Sequence, residues 1–202
     1  MGDLRPLGDF DLSAPDTWLP LPHEGPLGWT HIAAERLCDG GRTRAKLARR
    51  LERLQPTLTA DPHLMVEVWV PDRASPRVAG LLFVDWVVPD GGLRIDREYY
   101  RGLIEPDRRS GVRVFAHYVD DVELPAGPAV LVSEIIAEPT SRWFPLRKDV
   151  REKLTYVVFP HGCSDALKLT FTAAEEFGEK LEADATSVMN TLTVSLGEVR
   201  SR

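Results

Sequence analysis

Cysteine is scarce in this 202-residue sequence: only Cys38 and Cys163 are present, far apart. That spacing fits two reduced thiols better than a disulfide framework. Long apolar runs are missing as well, and none approaches the ~20 residues that span a bilayer. The opening Met1-Gly2-Asp3-Leu4-Arg5-Pro6 has no basic segment followed by an apolar one, so no cleaved leader is expected. The expected setting is cytoplasmic and away from membranes. Positive charge is in deficit, with 25 Lys and Arg against 31 Asp and Glu and a net charge of −6. General nucleic-acid binding, which draws on positive charge, is therefore not expected, although a local basic patch is compatible with these totals. No Gly-x-Ser-x-Gly elbow exposes a serine nucleophile, and Ser133 stands inside an apolar strand pattern. Gly40-Gly41-Arg42-Thr43-Arg44-Ala45-Lys46 lacks the Gly-Lys-Ser/Thr ending and the preceding strand of a phosphate loop. No internal repeat or low-complexity segment is present.

What is present is an ordinary globular composition, 43% hydrophobic and 28% charged. A chain of this size buries roughly 70% of its extended surface as one domain, here 1–202 with a core over about 8–196 and a frayed tail at 197–202. The last quarter is the best specified. Leu167, Leu169 and Phe171 alternate with Lys168, Thr170 and Thr172, the period of a strand with one dry and one wet face. Pro160-His161-Gly162-Cys163-Ser164-Asp165 reverses the chain after the strand Lys153 to Phe159, which predicts a hairpin. Beyond Thr172 the apolar residues Phe177, Leu181, Ala185, Val188 and Leu192 fall on one helical face. Thr172 and Glu175 have capping-box spacing at its start.

Earlier, Phe10 to Pro20 reads as a short edge strand with Trp18 folded back as a lid. A helical pattern runs from Thr30 to Cys38 and resumes near Thr43, with Leu47, Leu51 and Leu54 on its apolar line, until Pro56 ends it. Two adjacent glycines cost about 2 kcal/mol relative to alanines inside a helix, so Gly40-Gly41 favours two helices over one. Leu64 to Val70 and Val78 to Val88 form the next strand pair. The second is apolar on both faces except at Asp85, which makes it the expected innermost strand. One or two helical turns are expected between Asp96 and Ile104. Val112 to Val119 and Ala129 to Ala137 form a further hairpin through Val122 to Pro128.

Three segments carry a resemblance. Phe10 to Trp18 is similar to the strand, proline and tryptophan that open PsbP-like domains. Val122-Glu123-Leu124-Pro125-Ala126-Gly127-Pro128-Ala129 is similar to a strand-linking turn of actinobacterial relatives. Leu167 to Leu192 resembles the closing strand and helix. Together these resemble the PsbP-like, Mog-type superfamily, in an actinobacterial branch. The resemblance implies an α+β fold, an αβα sandwich whose mainly antiparallel sheet of about six strands is flanked by helices. It also implies binding, adaptor or assembly work, including chaperoning for secretion, and it offers no catalytic motif to transfer.

Individual residues support the same expectation. His161 and Cys163 lack the second ligand pair of a structural zinc site. His117, Asp120 and Asp121 do not share a face if that stretch is extended. No catalytic residue, metal or cofactor is assigned. Trp69 and Trp86 belong to strands and are expected in the core, whereas Trp29 and Trp143 stand in loops, where they either close the core or anchor a partner. The basic helix face is either a solvated surface or a functional one. The candidate partner surface is Arg42, Lys46, Arg49, Arg53, Trp29 and Trp143. The expected function is non-catalytic binding of another protein, as an adaptor or chaperone-like domain. The rivals are a small-ligand binder or hydrolase-type enzyme with a pocket built from distant loops, for which a polar cleft near His117 or His161 would speak, and a homo-oligomer joined through a sheet edge.

Overall fold

The strand that alternates Leu167, Leu169 and Phe171 with Lys168, Thr170 and Thr172 occupies the centre of the protein. The computed structural model describes residues 4–22, 28–88, 95–106, 111–139 and 148–198. Within them the chain forms β1 (Leu7–Asp11), β2 (Trp18–Pro20), α1 (Trp29–Leu37), α2 (Gly41–Leu58), β3 (Met65–Trp69), β4 (Gly80–Val87) and α3 (Arg97–Leu103). There follow β5 (Arg113–Leu124), β6 (Gly127–Pro139), β7 (Lys148–Val158), β8 (Ala166–Ala174), α4 (Gly178–Thr191) and β9 (Thr193–Leu196). Seven strands make one antiparallel sheet in the order β2-β3-β4-β8-β7-β6-β5. The eighth and ninth, β1 and β9, pair with each other as a separate ribbon.

Strand alternation sorts side chains to two faces, and each face has its own cover. On one, Leu82, Leu154, Tyr156, Leu167, Leu169 and Phe171 pack with Leu181, Ala185, Val188 and Met189 of α4, and Phe10 and Val194 of the ribbon pack against the same core. Trp18 stacks on Trp69 with centroids 5.5 Å apart and meets Phe171 edge-on at 5.8 Å. The Trp18 indole donates from Nε1 to Asp184 Oδ2 at 3.2 Å, which ties the edge strand β2 to α4. On the other face α1 and α2 bury Leu37, Leu47 and Leu51 against Val66, Val68 and Val70. Further along that face, Tyr100 and Ile104 pack on Val130, Val132 and Val157. The result is an α+β sandwich, helices on both sides of an antiparallel sheet.

Several expectations need correction. The innermost strand is β8, with β4 beside it. Trp18 is no lid: it is buried within β2. Trp86 is 40% exposed, unlike Trp69, which is fully buried. The Thr172–Glu175 capping box does not form, because Thr172 stays in the sheet opposite Leu81 and Lys153, and a 3₁₀ turn at Glu175–Phe177 precedes α4. Pro56 lies inside α2, which closes two residues later with Thr59 N–H donating to Gln55 O at 3.0 Å. The β5–β6 hairpin turns tightly at Pro125 and Ala126, so both strands run further than expected. The break near Gly40 is confirmed, since α1 ends at Leu37 and α2 starts at Gly41.

One acid sits inside this frame without the partners that usually accompany burial. Glu67 on β3 is 4% exposed and its Oε2 has no hydrogen-bond partner. Loss of hydration pushes its carboxyl up to about 7. The folded protein thus holds this proton to about pH 7, whereas an unfolded chain releases it near 4.5. The folded state binds more protons between those values, so this stabilisation is complete below about 4.5 and lost as pH rises through about 7. The span corresponds to about 3 kcal/mol. Urea unfolding of Glu67→Gln across this range should lack that slope and leave the variant more stable than wild type at pH 8; parallel pH profiles would contradict the assignment.

Candidate functional site

Register alone assembles a polar cleft on the face shared by α2 and α3. Rows of cross-strand partners run over that face. One row reads Leu81, Thr172, Lys153, Glu134 and His117 from β4 to β5, and the next reads Phe83, Thr170, Thr155, Val132 and Val119. A third begins Asp85, Lys168, Val157 and Val130. On this face the middle strands β7 and β8 therefore carry lysines and threonines where a two-layer core would need apolar groups. His63, Leu81 and Phe83 stand on one side and Tyr100, Leu103 and Ile104 on the other, enclosing a cleft of about 540 Å³.

Charges in the cleft are mostly paired. Glu134, 4% exposed, accepts from Lys153 Nζ at 2.9 Å and lies 3.1 Å from His117 Nδ1. At the opposite side His63 Nδ1 is 2.5 Å from Asp85 Oδ1, and Lys168 Nζ is 3.6 Å from Asp85 Oδ2. Two groups differ. Arg151, two residues before Lys153 on the same face of β7, lines the cleft and has no ion pair or hydrogen bond from its guanidinium among the described residues. Thr155 and Thr170, directly opposite one another, are 7% and 9% exposed, and neither hydroxyl has a hydrogen-bond partner.

The second feature is a groove of about 690 Å³ between α2 and the segment before β4, lined by Arg42, Lys46, Arg49, Arg50, Arg53 and Arg77 over Ala45, Leu47, Pro76 and Val78. Helix α2 carries six cations and a single acid in a chain of net charge −6. Arg44 meets Glu35 at 3.6 Å and Arg77 pairs with Glu176, but the five other lining cations have no ion-pair partner among the described residues. Arg42 also stands in the first turn, where the helix dipole disfavours positive charge. Arg50 and Arg77 of the groove and Arg151 of the cleft also line a further depression, together with Asp149 and Glu176.

No protein-family model matches the sequence, and no curated protein matches it. Among the solved structures that are similar in course are the following three. LpqN of Mycobacterium tuberculosis, described as involved in cell envelope biogenesis, has 14% identity and a TM-score of 0.47, over 92% of this chain and 83% of that one. A point mutant of protein Mog1 has 9% identity and a TM-score of 0.39, over 64% and 78%. The Ran-binding protein Mog1p of Saccharomyces cerevisiae has 8% identity and a TM-score of 0.37, over 69% and 84%.

The sequence-derived surface divides on inspection. Arg42, Lys46, Arg49 and Arg53 share the α2 groove. Trp29 is half-buried as the first residue of α1 and donates from Nε1 to Gln55 Oε1 at 3.0 Å, so it fastens α1 to α2 and is no free anchor. Trp143 lies outside the described residues. His117 pairs with Glu134, not with Asp120 or Asp121. His161 is exposed, while burial pushes the Cys163 thiol up. Their turn is occupied by the chain itself, since Arg5 N–H donates to Gly162 O at 2.9 Å and Ser164 N–H to Arg5 O at 2.8 Å. Sequence reasoning missed Arg151, Thr155 and Thr170, though the wet face of β8 was the available signal.

Removing a buried partner strands the other charge, which costs about 3 kcal/mol or more in buried pairs and less where water reaches one member, as at Lys153. Glu134→Leu should therefore lower the unfolding free energy by about 2 kcal/mol, and Glu134→Leu with Lys153→Met should recover most of it. Additive losses in that denaturation cycle would show that the two groups are not coupled.

Proposed function

We propose that this protein is a non-catalytic binding protein, an adaptor or chaperone-like domain, that holds an acidic segment of a partner protein in the groove along α2. The supporting observation is the set of five cations without ion-pair partners around an apolar floor. A solvated helix face of ordinary design intersperses acids at i,i+4 spacing and gains a few tenths of a kcal/mol from each pair. Helix α2 forgoes that gain and places Arg42 and Arg44 against its own dipole. Such a surface repels itself until a negatively charged partner covers it. Ala45, Leu47, Pro76 and Val78 beneath the cations suit a segment in which apolar residues accompany the acids. The acidic balance of the whole chain disfavours nucleic acid as the partner. A cytoplasmic setting fits the two free cysteines.

A second reading, a small-ligand binder, draws on a different observation, the polar cleft beside His117 and Glu134.

Fluorescence anisotropy with a labelled peptide alternating glutamate and leucine tests the first reading. Wild type should bind in a salt-dependent manner. Arg42→Gln, Lys46→Gln, Arg49→Gln and Arg53→Gln together should weaken binding about tenfold or more, with thermal stability kept or raised. Equal binding by the variant, or tighter binding of duplex DNA than of peptide by the wild type, would overturn the proposal.

A further inference from the structure

The cleft over β7 and β8 differs from the α2 groove in composition and wall chemistry, and it has its own unmet valences. Its volume of about 540 Å³ falls within the range of about 300–1,000 Å³ of small-molecule sites. Four acids line its sides, Asp85 on β4, Glu134 and Glu138 on β6 and Glu105 just after α3, whereas the two middle strands contribute only cations and hydroxyls to this face of the cleft. Polar groups in the middle of a sheet are costly to bury without partners. Among the described residues the buried hydroxyls of Thr155 and Thr170 lack hydrogen-bond partners, and the partly exposed Arg151 guanidinium has no ion pair.

We propose that the cleft binds a small organic anion, with its oxyanion head on Arg151, Lys153 and Thr172 and its body along the threonine row between Phe83 and the α3 wall. The strand geometry sets this placement. Arg151 and Lys153 project from the same face of β7 about 7 Å apart along the strand, and Thr172 is the cross-strand partner of Lys153. A guanidinium offers a planar fork to a carboxylate or a phosphate group, which both accept paired hydrogen bonds. Lys153 holds Glu134 and brings its ammonium charge beside the head. Beyond the head, Thr170 and Thr155 form the floor, while Phe83, Tyr100, Leu103 and Ile104 supply apolar walls.

Four probes separate head from body and one head from the other: benzoate, phenyl phosphate, inorganic phosphate and benzyl alcohol. Titration followed by NMR of Arg151, Lys153, Thr170 and Thr172 should show saturable binding of benzoate or phenyl phosphate, and which of the two binds more tightly identifies the head. Inorganic phosphate and benzyl alcohol, each lacking one half, should bind at least about tenfold more weakly. Arg151→Gln should weaken both organic anions about tenfold or more, and Arg151→Lys should recover part of the loss. Arg49→Gln in the α2 groove should leave binding unchanged, which separates this site from the partner groove. Spectral dispersion of each variant verifies its fold, and Lys153→Met serves as a second test of the head should Arg151→Gln not fold. Absence of shifts at these four residues up to tens of millimolar organic anion would overturn the proposal, as would unchanged affinity in the variants or equal binding of benzyl alcohol.

Discussion

Everything on the shared face of α2 and α3 depends on the register of β7 against β8. That pairing sets Thr155 opposite Thr170 and Lys153 opposite Thr172, and so puts hydroxyls and ammonium groups at the middle of a seven-stranded sheet. A one-residue slip would turn Leu154, Tyr156, Leu169 and Phe171 into the cleft and strand the lysines in the α4 core. The apolar set on the α4 side therefore holds the polar set in place. Glu134 is pinned in turn by Lys153 and His117, and Asp85 by His63. The cleft lies over this strip, between His63, Leu81 and Phe83 on one side and α3 on the other.

Electrostatics gives the α2 side its character. The acidic total of the chain conceals a helix that is itself strongly cationic, and five of its charges have no counterpart on the protein among the described residues. Exposed ion pairs contribute little to stability, so their omission costs little and leaves a field that acts on approaching partners. Buried pairs in the cleft behave differently, because water does not replace a lost partner. One molecule thus uses charge in two ways: unpaired and exposed along α2, paired and sheltered over β6, β7 and β8.

The dry face of the fold was legible in the sequence because strand and helix periods are local. Leu167, Leu169 and Phe171 and the stripe Leu181, Ala185 and Val188 all reached the core assigned to them. The break at Gly40-Gly41 was equally readable, since the cost of glycine in a helix is intrinsic. The central strand was not, because the rule that the middle strand is apolar on both faces fails where one face borders a cleft; β4 satisfied the rule and β8 lay in the middle. Nor was the β1–β9 ribbon, which joins residues 7–11 to 193–196 through a pairing that no local pattern announces. The α2 cations were visible as a run of charge. Arg151 and the threonine pair were not, because strand register decides which residues meet across the sheet.

A strip over β7 and β8 that is kept polar for a ligand costs the fold stability. The most direct measurement is urea unfolding of Thr155→Val with Thr170→Val in the absence of any ligand. Valine keeps the shape and removes the two hydroxyls that lack partners, and replacing such groups with apolar ones is neutral to stabilising, by about 1 kcal/mol each. A rise in unfolding free energy of about 1–2 kcal/mol is the expected result. A clear fall would show that these hydroxyls serve the fold itself and would contradict the claim.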